Sequence, residues 1–147
     1  MAAETNRRAW MSLLAKAPAE RLRVLWDAQS FAPEFNWLRA PEIGATMVRG
    51  RTGGTGAPFN LGEMTVTRCS LQLASGEVGH GYVQGRDKDK AKLAALVDAL
   101  MQGDKADVVK ATVLEPLEKA MLDARETRAA KAAATKVDFF TMVRGED

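Results

Sequence analysis

Arg49 and Arg51 stand two residues apart, the spacing that sets both on one face of a strand, and Thr52-Gly53-Gly54-Thr55-Gly56 follows at once. Glycine admits positive φ and lets the backbone come close to another surface. Successive N–H groups in such a loop form a nest for an anion, and the guanidinium forks add charge and paired donors. The chemistry this pattern supports is non-covalent capture of a phosphate-bearing ligand. The plainer reading of the same residues is a hairpin tip, or a loop that docks against a neighbouring backbone. Short glycine patterns recur by accident, so the motif alone leaves both open. It is no Walker A loop, since neither Gly-Lys-Ser/Thr nor a helix follows it.

Two further groups of residues invite the same question. Gln84-Gly85-Arg86-Asp87-Lys88 closes a strand and opens a helix. Amides and dipole at a helix start favour an anion, with Arg86 and Lys88 adding charge. The competing reading, and the preferred one, is a tight turn capped by Asp87. At the other end of the chain, Val137, Phe139, Phe140, Met142 and Val143 bring large apolar groups, followed by Arg144, to a terminus. Chain ends are ordinarily polar and frayed, so these imply docking, on this domain or on a partner.

Conventional active sites find no support. His80 is the single histidine, flanked by Gly79 and Gly81, so a zinc site of several His and Cys ligands is excluded. Cys69 falls in a strand on the face of Leu71 and Leu73, where a thiol is expected to be buried and inert. No nucleophile-elbow pattern is present. The chain alone is expected not to be catalytic.

The elements that must position these residues follow from periodicity. The chain has 147 residues, 46% apolar and 27% charged, which suits one soluble domain. Trp10, Leu13, Leu14 and Ala17 form one helical stripe; Pro18 ends it, and Leu22, Leu25 and Trp26 continue in a second helix to about Gln29. Strands are expected at Phe35–Ala40, ended by Pro41, then at Gly44–Arg51, Glu63–Leu73 and Val78–Gln84, with a Ser75-Gly76 turn between the last two. The apolar phase of Glu63–Leu73 slips between Val66 and Cys69. A bulge near Thr67-Arg68 would reconcile it, and so would burial of different faces along the strand. Asp87 caps a helix to about Gln102 whose stripe is Leu93, Leu96, Val97, Leu100 and Met101. A last helix carries Val108, Val109, Val113, Leu117, Met121 and Leu122, restarting near Pro116, and its alanine-rich end from Asp123 to Lys136 is expected to project. The fold class is therefore α+β: a small antiparallel sheet of three to four strands, with an N-terminal helical hairpin and C-terminal helices packed on it.

Charge and leader content limit the partners. The formal charge is +2, with acids and bases interleaved almost everywhere, so no broad basic face for nucleic acid is expected. Any anion preference is local: Arg39–Arg68 holds four arginines against Glu42 and Glu63. The short apolar patch Trp10–Ala15, closed by Lys16, suits neither an export signal nor a membrane span, and with one cysteine a cytoplasmic location is expected.

Several motifs in order carry a resemblance. Trp10-Met11-Ser12, Gly53-Gly54-Thr55-Gly56, Val83 to Lys88, Leu96 to Gln102 and Val137 to Gly145 together resemble the PhnG subunit family of the bacterial carbon–phosphorus lyase system. The similarity runs from residue 10 to residue 145. Departures lie after Ala57, in Asp104–Lys119 and in the alanine-rich helix. The resemblance implies a cytoplasmic core complex with PhnH-, PhnI- and PhnJ-like partners. With accessory proteins, that machinery displaces adenine from MgATP by an alkylphosphonate to give ribose 1-alkylphosphonate 5-triphosphate. MgATP is then a substrate of the complex, and no cofactor is expected on this chain. The nucleosidase-type chemistry falls to PhnI and the iron–sulfur radical cleavage to PhnJ, so no catalytic residue is carried over. The expected role is structural, with the glycine loop and the 84–88 turn as interface or phosphate contacts and the 137–144 tail docked on a partner. The alternative is a freestanding anion- or nucleotide-binding module.

Overall fold

In the computed structural model, which describes residues 2–137, the chain runs α1 (Ala2–Lys16), α2 (Ala19–Asp27), β1 (Phe35–Arg51), β2 (Pro58–Leu73), β3 (Val78–Gln84), α3 (Lys88–Leu100), α4 (Ala106–Val109) and α5 (Glu115–Ala134). The strands form one antiparallel sheet in the order β1-β2-β3. The expected α+β class stands.

The N-terminal stripe buries as its spacing requires. Leu14, Ala17, Leu22 and Trp26 are core residues, with Trp10, Leu13 and Leu25 packed against them. Pro18 stands at the N-cap of α2 in an extended conformation, which its fixed φ suits.

The sheet departs from expectation in one instructive way. Phe35–Ala40 and Gly44–Arg51 are not two strands; they are one, and Pro41 lies inside it. An edge strand tolerates proline because the missing N–H costs the ladder little, and β1 is an edge. The register shifts between Trp37 and Arg39 and again between Arg39 and Glu42, so β1 bulges around the proline. The glycine loop consequently joins the first and second strands. β2 begins at Pro58, earlier than its apolar pattern suggests.

The phase slip on β2 has the second of its two explanations. Its pairing with β3 runs without interruption from Val66 to Gln72, so no bulge lies at Thr67-Arg68 there. Thr67, Cys69, Leu71 and Leu73 are buried on one face, and Val66 is buried on the other. Ser75 and Gly76 make the β2–β3 turn, with the Gly76 amide donating to the Leu73 carbonyl at 2.9 Å.

Helix α3 is the centre of the molecule. It packs across β3 and β2, with α1 and α2 also against it. It is buried nearly all round, from Lys90 and Ala91 through Ala94 to Leu100. The leucine stripe is only part of its core surface. Ala91, Ala95 and Ala99 face Gly79 and Gly81 of β3 so closely that a β-carbon on Gly79 would lie 1.9 Å from the Ala95 carbonyl oxygen. One on Gly81 would lie 2.1 Å from the Ala91 carbonyl oxygen. Glycines on the strand and alanines on the helix thus bring backbone against backbone.

The C-terminal helices form an outer layer. A π turn, Lys110–Leu114, links α4 to α5, with the Glu115 amide donating to Lys110 five residues back. Pro116 follows in the first turn of α5 and has no amide for the Thr112 carbonyl, so the α-helical ladder cannot continue unbroken there. Val109, Val113, Leu114 and Leu117 are buried, whereas Val108 and Leu122 are exposed. From Leu122 to Val137 every residue is exposed, so this end of α5 projects as its composition implies.

Candidate functional site

Beyond the last β3 pair, Val66 with Gln84, the sheet narrows to two strands. From there β1 and β2 continue together as a ribbon, through Ala45 with Thr65 and Met47 with Glu63 to Arg51 with Pro58. Among the described residues this arm has two open faces and two unpaired edges. By register, Ile43, Ala45 and Met47 look to the helix side, because Ile43 pairs with the buried Thr67. Gly44, Thr46, Val48 and Gly50 look to the opposite side with Val66, Met64, Gly62 and Phe59. The Phe59 ring lies over Gly50, and Leu61 touches the same place. Ile43, Met47, Phe59 and Leu61 are all exposed, Leu61 by 68%.

The predicted glycine loop is the tip of this arm. Thr52–Gly54 makes a single 3-10 turn, and Gly53 and Gly54 have φ of 61° and 81°, values that disfavour any residue with a β-carbon. The nest is partly spent on itself: the Thr55 and Gly56 amides both donate to the Thr52 carbonyl, the latter at 2.8 Å. Arg51 Nη1 donates to the Gly56 carbonyl at 3.4 Å. Arg49, Arg51 and Thr52 to Thr55 are exposed. The tip therefore presents two guanidinium groups on a turn that is already closed, with Arg49 beside Pro58, Phe59 and Asn60 in a shallow hollow of about 250 Å³.

The 84–88 turn is a structural joint. The Asp87 side chain accepts from the Lys90 amide at 2.9 Å and caps α3. Gly85 has φ of 91°, its amide donates to the Thr65 carbonyl, and its carbonyl accepts from the buried Thr67 hydroxyl at 2.7 Å. Gln84, Arg86 and Lys88 are exposed beside it. The turn lies at the root of the arm, far along β2 from the glycine tip, so the two sequence candidates are not one site. In the tail, Val137 is 68% exposed at the end of the projecting helix. Phe139, Phe140, Met142, Val143 and Arg144 lie outside the described residues.

Residues that sequence reasoning passed over hold the body together. Asp98 is fully buried on α3 and accepts from Arg7 Nε at 3.1 Å, Arg7 Nη2 at 2.8 Å, Trp10 Nε1 at 2.8 Å and the His80 amide at 2.9 Å. A buried carboxylate with this many donors is satisfied, and it ties α1, α3 and β3 into one unit. The Asp98 bond raises the Arg7 guanidinium further above its ordinary value. Lys90, also buried, donates to the Ala15 carbonyl at 3.1 Å and so caps the end of α1; burial pushes its ammonium below the ordinary lysine value, against a smaller opposing pull from Asp87. The available signal was an acid and a lysine inside the most apolar helix, with Arg7 and Trp10 one turn apart to receive the acid.

The remaining reactive groups are quiet. Cys69 is 2% exposed and donates to the Ala91 carbonyl at 3.2 Å. Burial pushes its thiol up from 9.0 to about 11, against a smaller lowering by the Gly81 amide, so it stays protonated near neutrality. His80 is exposed, its Nδ1 sharing a hydrogen bond with Ser70 Oγ at 2.8 Å on the open sheet face. Along that face Glu42 accepts from Arg68 at 2.7 Å and Arg39 at 3.2 Å. Among the described residues no three His, Cys, Asp or Glu side chains gather as metal ligands, and no helix is long and apolar enough to cross a membrane.

Comparison with known proteins gives this arrangement a family. Residues 5–145 match the family described as "Phosphonate metabolism protein PhnG". A curated relative from Rhizobium meliloti, named alpha-D-ribose 1-methylphosphonate 5-triphosphate synthase subunit PhnG, is 51% identical over 143 residues, covering 97% of this chain and 91% of the relative. The match takes in the sheet, the arm with its glycine tip, the capped turn and most of the tail, and the chain belongs to the PhnG family of phosphonate metabolism proteins.

Proposed function

We propose that this chain is a subunit of an alpha-D-ribose 1-methylphosphonate 5-triphosphate synthase, serving assembly rather than carrying the reacting groups. The single observation behind this is the 51% identity, over nearly the whole of both chains, to a protein named as a subunit of that synthase. On this reading the companions are PhnH-, PhnI- and PhnJ-like chains in the cytoplasm. MgATP is a substrate of the assembly, and this chain holds no cofactor of its own. The side-chain chemistry supports the division of labour: Cys69 is held as a thiol under α3, and the His80 ring is hydrogen-bonded to the Ser70 hydroxyl. The glycine tip serves first as a contact, because two of its amides already bond within the loop, and secondarily offers Arg49 and Arg51 to a phosphate group.

Reconstitution tests it. Co-expressed with its three companions and supplied with accessory proteins, MgATP and methylphosphonate, the chain is expected to be required for the triphosphate product, while alone it forms none. Product at an undiminished rate without the chain refutes the subunit role, and turnover by the isolated chain refutes the assembly role. Deleting residues 137–147 is expected to lower recovery of the companions, and unchanged recovery removes the tail from the interface.

A further inference from the structure

Among the described residues nothing covers the arm. A two-stranded ribbon is marginal in water, and it is stabilised by a third strand or by packing on an apolar surface. Here β3 stops at Gln84, and among the described residues the ribbon from Ala45–Thr65 outward runs on uncovered. Its β1 edge is regular from Ile43 to Val48, with no shift, no proline and no charge, the kind of edge that proteins ordinarily blunt or pair. Pro41 and two register shifts lie before this stretch and a third shift, between Val48 and Arg49, lies after it, so Ile43–Val48 itself is unprotected. Apolar side chains stand exposed on both faces, Met47 on one and Phe59 on the other. A flat surface covers one face at a time, so only a cleft covers both.

Charge says which kind of cleft. Arg49 and Arg51 are the only charged residues between Glu42 and Glu63, so the tip is basic. A second copy of this chain fits poorly among the described residues. A hollow of about 590 Å³ is flanked by Arg8 and by Arg7, whose charge Asp98 already meets, and offers the basic tip no carboxylate. Another, about 210 Å³ between Trp10, Leu13 and Leu114, is lined by Glu115 and Glu118 together with Lys110, and holds a side chain or two and no ribbon.

Building on the subunit reading above, we infer that the β1–β2 arm inserts into an apolar cleft of a different subunit of the assembly, with carboxylates at the cleft's far end receiving Arg49 and Arg51. Exclusion of water by the cleft strengthens that ion contact, and the apolar residues of the ribbon supply most of the hold.

The test uses the full chain, free and co-purified with its companion subunits. Amide hydrogens of residues 44–51 and 58–65 are expected to exchange at least tenfold more slowly in the assembly than in the free chain. Phe59→Asp with Leu61→Asp is expected to cut recovery of companions at least tenfold while leaving the thermal midpoint of the free chain unmoved, both residues being exposed. Arg49→Glu with Arg51→Glu is expected to weaken recovery severalfold, most at low salt. Undiminished recovery by the Asp variant with unchanged exchange in the arm overturns the inference and leaves the subunit reading standing. A wild-type chain that captures no companion at all overturns the subunit reading itself. A free chain that sediments as a dimer, and as a monomer once Phe59→Asp and Leu61→Asp are made, assigns the arm to a second copy and also overturns the inference.

Discussion

At the scale of single residues, the molecule depends on a few close backbone approaches and on one buried acid. Gly79 and Gly81 are where β3 meets α3, and no side chain fits at either. Gly79→Ala or Gly81→Ala is expected to cost about 3 kcal/mol or more, because backbone carbonyls, not mobile side-chain ends, occupy the space. Gly62→Ala, in the arm with nothing within 4 Å, is expected to change stability by less than about 1 kcal/mol. Urea unfolding of the three variants checks both expectations. Cys69 adds a pH dependence of known sign. Its folded value, about 11, lies above its ordinary 9.0, so the stabilisation is complete below pH 9 and is lost as pH rises toward 11. Lys90 works in the opposite direction below the ordinary lysine value. Comparing the wild type with Cys69→Ala at each pH isolates the thiol: the wild type's advantage is expected to shrink by about 2 kcal/mol across that window.

At the scale of elements, the C-terminal helix divides into a packed part and a projecting part. The π turn and Pro116 bend the ladder where Val113, Leu114 and Leu117 must reach the core. Past Met121 the helix buries nothing. Ending the chain after Leu122 is therefore expected to lower the unfolding free energy by less than about 1 kcal/mol. A loss of several kcal/mol in the same measurement would mean that residues beyond Leu122 return to the body. The long hairpin divides likewise. Its root, Phe35–Gly44 against Val66–Leu73, shares the sheet with β3, and among the described residues its outer half stands alone.

At the scale of the whole molecule, the described residues form a body with a buried core and two exposed extensions. The Asp98 cluster, the Lys90 cap and the Asp87 cap bind the N-terminal helix, the central helix and the sheet into one core. From it the two-stranded arm and the exposed end of α5 reach outward. Both segments are uncovered among the described residues, and on the subunit reading neighbours finish them. This agrees with membership in a family whose relative is named a subunit.

Much of this was legible in the residues. Helical stripes at Trp10–Ala17 and Leu93–Met101, the Ser75-Gly76 turn, the Asp87 cap and the projecting alanine helix follow from local periodicity and capping chemistry, which act within a few residues of chain. Five motifs in order were enough to indicate the family. What tertiary structure alone decided depends on residues far apart in sequence. Whether Pro41 ends a strand turns on whether that strand is an edge, and that is a property of the sheet. Whether Gly79 and Gly81 matter turns on a helix that crosses above them. Whether Asp98 is a surface acid or a buried hub turns on Arg7 and Trp10 arriving from the other end of the chain. The arm itself exists because β3 is short while its neighbours run on, a comparison of lengths that no local pattern contains.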